Sequence, residues 1–209
     1  MTEQPDLAHT VERIVSHTQQ NFTGDAVSLL LVRDGAFEVT TATDVLVEKA
    51  DALQFELGEG PTWSPDACQD TVLVDDLSTE STWPLWSSGA ARLGWLSLLS
   101  IRLFTPVRTL GAINVYSHDV AAFTAEEAEL SMIFGRHASI ALMGAQSSDS
   151  LRAAVTSRHV IGQAQGILME RYHVDADRAF VVLRRYSQDR NIKLRVIAEQ
   201  VIATHRLPE

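Results

Sequence analysis

Apolar residues recur along this chain in two periods, and the change from one to the other divides it. At 7–21, Leu7, Val11, Ile14 and Val15 fall at helical spacing and predict a short amphipathic helix. Residues 26–32 are an almost unbroken apolar run, as a buried strand requires. Asp34-Gly35 is a hairpin signal ahead of the alternating, β-branched run at 37–43. Gln54-Phe-Glu-Leu-Gly-Glu-Gly-Pro61 is rich in breakers and predicts a loop, or a loop entering a short helix. A short strand at 71–74 stops at Asp75-Asp76. A second strand pair is expected at 97–104 and 111–117, joined by 105–110. Short helices among antiparallel strands predict an α+β fold with one central sheet.

From Thr124 the period is helical throughout. Thr124-Ala-Glu-Glu127 is a capping box, in which hydroxyl and carboxylate satisfy each other's orphan backbone donors. Leu130, Ile133, Phe134, His137, Ala138, Ala141 and Leu142 follow at helical spacing. After the polar stretch 146–150, Leu151, Ala154, Val155, Val160, Ile161, Ala164, Ile167 and Leu168 resume it. This predicts one long helix, with Ser147 as the place where a break would fall. A long helix with a narrow apolar stripe must bury it, commonly against the same helix of a second copy, so a homodimer through the helix from Thr124 is expected. Asp175 caps a further helix with Ala179, Phe180, Leu183 and Tyr186 on its core face. Leu194, Ile197, Ala198, Val201 and Ile202 define a last one. The chain therefore divides into a sheet domain at 1–145 and, from 146 to 209, a small three-helix bundle reached by the long helix.

Composition adds constraints. Of 209 residues 45% are hydrophobic and 21% charged, which fits a globular chain rather than a disordered one. No apolar run approaches the roughly 18 residues of a membrane span, and the first ten residues lack the basic and apolar regions of a signal peptide. The lone Cys68 excludes an internal disulfide and fits a reducing compartment, so a cytoplasmic protein is expected. The net charge of −10 is unevenly spread. Residues 1–150 hold 7 Lys and Arg against 21 Asp and Glu, a net −14, whereas residues 151–209 hold 10 against 6, a net +4. Only the second part has an electrostatic reason to approach phosphates.

The chemistry concentrates there, in Ile161-Gly-Gln-Ala-Gln-Gly-Ile-Leu-Met169. Each of Gly162 and Gly166 costs a helix interior about 1 kcal/mol relative to alanine. With Ala164 they leave a face without bulk, flanked by the amides of Gln163 and Gln165 and the guanidinium groups of Arg158 and Arg171, groups suited to loop bases or phosphates. Tight packing against another helix explains the glycines at least as well. Elsewhere the ordinary reading prevails. Asp75-Asp76 terminates a strand, and the features that would make it a phosphoacceptor pair are absent. Cys68 has no resolving partner for thiol chemistry. His118, His137, His159 and His173 show no metal-ligand spacing. Trp63, Trp83, Trp86 and Trp95 lie in the acidic part and belong to a core or pocket wall. No catalytic residue, metal or cofactor is expected, and an enzyme is not.

The glycine-spaced helix, together with Ala176-Asp-Arg-Ala-Phe-Val-Val-Leu-Arg184 and Ser187-Gln-Asp-Arg-Asn-Ile-Lys-Leu194, resembles the ANTAR family over about residues 151–205. The resemblance implies a transcription antitermination regulator that binds paired RNA hairpins with short loops in nascent transcripts. The RNA-binding set it suggests is Arg158, Gln163, Ala164, Gly166, Met169, Arg171, Arg184 and Lys193. Gln165 stands where actinobacterial members of this type often carry lysine, which removes one phosphate contact. Leu57-Gly-Glu-Gly-Pro61, Val72-Leu-Val-Asp-Asp-Leu77, Trp83-Pro84 and Leu110-Gly-Ala-Ile-Asn-Val-Tyr-Ser117 are similar to the GAF family, a sensory relative of the PAS fold. That similarity implies a signal input at 1–145, a small ligand of unnamed chemistry among its forms. Where many members carry cysteine after the Gly-Glu-Gly-Pro loop, this chain has Thr62. The competing reading is a small-molecule or redox sensor acting through protein partners, with the helical bundle serving for dimerisation.

Overall fold

A computed structural model describes residues 6–33, 35–62 and 70–207. Asp34, Trp63 and Cys68, singled out above, lie outside the described residues. The fold is α+β, and the chain divides into two compact units, Met1–Gln146 and Ser147–Glu209.

The first unit is a five-stranded antiparallel sheet between two helical layers. Its elements are α1 (Leu7–Asn21), β1 (Ala26–Arg33), β2 (Ala36–Ala42), α2 (Val45–Leu57), β3 (Thr71–Val74), α3 (Pro84–Arg92), β4 (Ser97–Thr105), β5 (Arg108–Ser117) and the start of α4 (Ala125–Tyr172). The strand order is β2-β1-β5-β4-β3, every pairing antiparallel. Alternation along the central strands sends Val27, Leu29 and Leu31 of β1, Leu99, Ile101 and Leu103 of β4, and Ile113 and Val115 of β5 to one face. There they pack with Val11, Ile14 and Val15 of α1 and with Ala138 and Leu142 of α4. Ala26, Leu98 and Tyr116 take the other face, with Val47 and Ala50 of α2 and Trp86 and Ala90 of α3. A sheet covered on both faces explains why β1 reads as an apolar run. At Gly111 on β5 a Cβ would collide with the Leu30 carbonyl of β1, so only glycine permits that approach.

Three expectations change. Residues 54–57 are the last turn of α2, not a loop. Asp44 caps this helix by accepting from the Leu46 amide (2.6 Å), and Gly58 ends it at φ 65°. The strand pair at 97–117 is joined by only two residues, Pro106 and Val107, rather than by 105–110. Helix α4 is continuous through Ser147, and the apolar positions assigned to it split between two faces. Ser131, Gly135, Ala138, Ser139, Leu142 and Ala145 are buried in this unit, with Phe134 half-buried, whereas Leu130, Ile133, His137 and Ala141 are exposed. The capping box forms as expected: the Thr124 amide donates to Glu127 Oε2 (2.9 Å) and the Glu127 amide to Thr124 Oγ1 (3.2 Å). Burial pushes the Glu127 carboxyl up, but hydrogen bonds from Thr23 and Thr124 outweigh it and hold the group below its ordinary value.

The second unit joins the C-terminal part of α4 to α5 (Ala176–Arg190) and α6 (Leu194–Thr204). Its core is Ala164 and Leu168 of α4, Ala179 and Leu183 of α5, and Ile197, Ala198 and Val201 of α6. Asp175 caps α5 by accepting from the Arg178 amide (2.7 Å), and Asn191 ends it in the left-handed region at φ 52°. Phe180, expected in this core, is partly exposed instead.

Candidate nucleic-acid interface and buried carboxylate

In the second unit, the small side chains of α4 do two different jobs. Ala164 is fully buried against α5 and α6. It therefore leaves the RNA-binding set, because no solvent-borne partner reaches it. Gly162 and Gly166 are exposed, and a Cβ built on either would meet nothing within 4 Å. The glycines do not serve packing within the bundle, which removes the ordinary explanation for their cost inside this unit.

Around them Arg158, Gln163, Met169 and Arg171 of α4 are exposed, as are Arg184 of α5 and Lys193 just before α6. Arg185 is engaged with Asp189 (3.5 Å) and Arg195 with Glu199 (2.8 Å), and Arg190 stacks over the Tyr186 ring. Among the described residues no carboxylate oxygen comes within 4.0 Å of the charged groups of Arg158, Arg171, Arg178, Arg184 or Lys193. Arg178 was not singled out by sequence, although its exposure and charge match the others. Gln165 is used differently from expectation. Its Nε2 donates to the Ala176 carbonyl (3.0 Å), tying α4 to the start of α5. Tyr172, 47% exposed, adds a stackable ring near the end of α4.

The first unit holds a polar cluster inside its core that sequence reasoning missed. Asp51 of α2 is fully buried. Its Oδ1 accepts from Gln54 Nε2 (3.1 Å), Asn114 Nδ2 (2.8 Å) and the Tyr116 hydroxyl (2.7 Å), and its Oδ2 from the Ser28 hydroxyl. Ser100 donates to Asn114 Oδ1 (2.6 Å), and Asn114 Nδ2 also reaches Thr62 Oγ1 (3.2 Å). The Thr62 amide donates to Gln54 Oε1 (2.9 Å), which ties the loop after α2 to the cluster. Burial pushes the Asp51 carboxyl up to about 6, although all four donors favour its charged form. Burial, reinforced by the neighbouring Asp51 charge, drives the Tyr116 hydroxyl well above its ordinary value. Polar residues on the inward face of a helix give no apolar period, so Asp51 and Gln54 went unsignalled, whereas Asn114 and Tyr116 lie in the 110–117 motif without their role being legible there.

That loop has a definite physical role. Gly58 closes α2, and Glu59 Oε2 accepts from the Leu85 (2.9 Å) and Trp86 (3.3 Å) amides. Helix α3 has no side-chain cap of its own, so Glu59 supplies one from the loop. Asp76 is likewise a turn residue, accepting from the Ser78 amide (2.9 Å) and hydroxyl (2.6 Å), which hold its carboxyl below the ordinary value. Trp95 stacks on His118 (4.3 Å between centroids), and its Nε1 is the buried side-chain nitrogen left without a partner among the described residues. Among the described residues no three His, Cys, Asp or Glu side chains gather as a metal site would require.

A family model for the GAF domain matches residues 4–143, and one for the ANTAR domain matches residues 149–202. No match to a curated protein sequence was found. Among solved structures, a domain of a two-component sensor histidine kinase protein from Sinorhizobium meliloti is similar at 15% identity and TM-score 0.54. The match covers 68% of this chain and 94% of that one. Free methionine-R-sulfoxide reductase from Neisseria meningitidis matches at 16% identity and TM-score 0.51, over 70% of this chain and 83% of that one. The phytochrome photosensory core module of Stigmatella aurantiaca matches at 11% identity and TM-score 0.59, over 88% of this chain and 41% of its own. At these identities the likenesses establish the fold alone.

Proposed function

We propose, for a chain that belongs to the GAF domain family over residues 4–143 and carries an ANTAR domain over residues 149–202, that it is an RNA-binding transcription antitermination regulator of the actinobacterial type. Residues 1–145 receive a signal, a small ligand among the candidates, and residues 146–209 bind paired hairpin loops in nascent transcripts. It acts in the cytoplasm by binding and catalyses no reaction. Two copies pair through α4, which brings two basic bundles to two hairpins and raises their combined affinity by effective concentration.

The observation that carries this reading is the face of α4 at Gly162 and Gly166, open to solvent and accompanied by Arg158, Arg171, Arg184 and Lys193, which among the described residues have no carboxylate oxygen within 4.0 Å. Glycine lets a nucleic-acid backbone approach the helix closely. Guanidinium groups not already paired to carboxylates bind phosphate without first breaking an ion pair. The net +4 of residues 151–209 supplies the field. Among the described residues no helix is long and apolar enough to cross a membrane.

Titration of the full chain against a labelled RNA with two short-looped hairpins, over a series of salt concentrations, tests the reading. Arg171→Ala and Arg184→Ala are each expected to weaken binding and to lower the slope of log affinity against log salt by about 1, as loss of one phosphate contact does. Affinity and slope unchanged in both variants would remove these residues from the interface.

A further inference from the structure

The polar cluster in the first unit reaches the loop after α2 through one side chain, Gln54, which is itself fully buried. Its Nε2 donates to Asp51 Oδ1 (3.1 Å), and its Oε1 accepts from the Thr62 amide (2.9 Å). A backbone N–H can only donate, so the Thr62 amide fixes which end of the Gln54 carboxamide faces the carboxylate. The loop is built around that group. Gly60 has φ 128°, and a Cβ there would collide with the Gln54 carboxamide, so the position requires glycine. The Glu59 amide donates to the Gln54 carbonyl (3.2 Å), while the Glu59 carboxylate caps α3.

All four hydrogen bonds at the Asp51 carboxylate are donated to it. The elements around it bring Ser28 from β1, Ser100 from β4, Asn114 and Tyr116 from β5, Thr62 from the loop, and Trp86 from α3, whose Nε1 donates to the Ala50 carbonyl (2.9 Å). Of these only Tyr116 titrates. Among the described residues no charged group contributes to the Asp51 value, and Glu59, the one charge on residues 58–62, is turned to the α3 amides. A carboxyl that gains a proton in this cage has a donor to place and no free acceptor to receive it. The Ser28 and Tyr116 hydroxyls accept only by leaving their own protons unpaired in the core, because among the described residues Asp51 is the acceptor that each of them has. The Gln54 amide oxygen accepts once the carboxamide turns over. Its Nε2 then faces the Thr62 N–H, donor against donor. Thr62 lies on a loop rather than in the sheet, so it is the donor free to leave.

We propose that Asp51 and Gln54 form a proton-operated catch on the loop after α2, in which a proton on Asp51 turns the Gln54 carboxamide over and releases the Thr62 amide. A proton is then among the signals that the first unit reads. Acidification acts on residues 58–62 and, through Glu59, on the N-terminus of α3. Burial sets the Asp51 carboxyl at about 6, which places the catch in the mildly acidic range. It operates whether or not the second unit binds RNA.

Amide NMR of the isotope-labelled full chain between about pH 5 and pH 8, at constant salt, tests the catch. The Thr62 backbone amide and the Gln54 side-chain amide are expected to shift with one shared midpoint near 6. Hydrogen exchange at the Thr62 amide, corrected for its intrinsic pH dependence, should quicken by about tenfold on protonation. Asp51→Asn should abolish the shared midpoint. Tyr116→Phe and Ser28→Ala each remove a hydrogen bond that favours the charged carboxylate, so each should move the midpoint upward. These two variants carry the test where Asp51→Asn fails to fold. A carboxyl that titrates while the Thr62 amide keeps its shift and its protection would overturn the catch, because a hydroxyl then takes the proton. A midpoint that survives Asp51→Asn, or that stays in place in both Tyr116→Phe and Ser28→Ala, would assign the change to another group and overturn it as well.

Discussion

Four donors converge on the Asp51 carboxylate, and among the described residues no cation does. Hydrogen bonds offset part of the cost of burying the charge, and the remainder appears as a group whose folded value, about 6, lies above its ordinary 3.8. The folded unit therefore binds this proton more tightly than the unfolded chain does. Its stabilisation is complete below about pH 4, declines as pH rises, and is gone above about pH 6, a change on the order of 3 kcal/mol. Urea unfolding of the full chain at pH 4.5 and at pH 7 checks this. The parent chain should lose stability over that interval, and Asp51→Asn should remove the Asp51 part of the loss. Two of the carboxyls held low by hydrogen bonds, Glu127 and Asp25, the latter accepting from the His118 amide (2.8 Å) and the Ser117 hydroxyl (2.7 Å), act in the opposite sense and in a lower window: their stabilisation is present above the ordinary carboxyl range and lost in acid. At the other end of the chain, Gly162→Ala and Gly166→Ala should each stabilise the second unit by up to about 1 kcal/mol, because a methyl group there relieves the helix and touches nothing.

At the level of elements, Glu59 is the clearest case of a residue working on a helix other than its own. Glu59→Ala uncaps α3, and a loss of about 1 kcal/mol in thermal or urea unfolding is the expected outcome. Glu59→Gln keeps an acceptor and should lose less. The loop motif was visible in sequence, but what it does was not, because its partners lie 26 and 27 residues away. Much else was readable: α1, β1, β2, β3, the paired strands and the last two helices follow from apolar period and from caps at Thr124 and Asp175. Helix α2 was not, for a physical reason. Its inward face mixes Val47 and Ala50 with Asp51 and Gln54 while Val45, Leu46 and Leu57 face solvent, which erases the pattern that marks an amphipathic helix. Helix α4 misled in another way. It has apolar residues on two faces, and spacing alone does not distinguish Phe134 and Leu142, which pack on the sheet, from Leu130 and Ile133, which do not.

For the whole molecule, the uneven charge has a simple consequence. The first 150 residues, at −14, disfavour any polyanion, and the last 59, at +4, favour one, so the proposed RNA partner would be directed to residues 151–209. Within that end, Ala164 and Gly166 illustrate what sequence could and could not decide. Both belong to the same small-residue motif, yet one is sealed in the bundle and the other is open, a distinction that needs the positions of α5 and α6. We propose that this open glycine face, and not merely the positive charge around it, binds RNA. Gly162→Leu and Gly166→Leu test it most directly. Leucine favours the helix and leaves every charge in place, and its Cβ would meet nothing within 4 Å at either position. The decisive measurement is the affinity of each full-length variant for the two-hairpin RNA, alongside its thermal midpoint. Binding about tenfold weaker or more is expected, with a midpoint no lower than that of the parent chain. Parent-like affinity in both variants would contradict it.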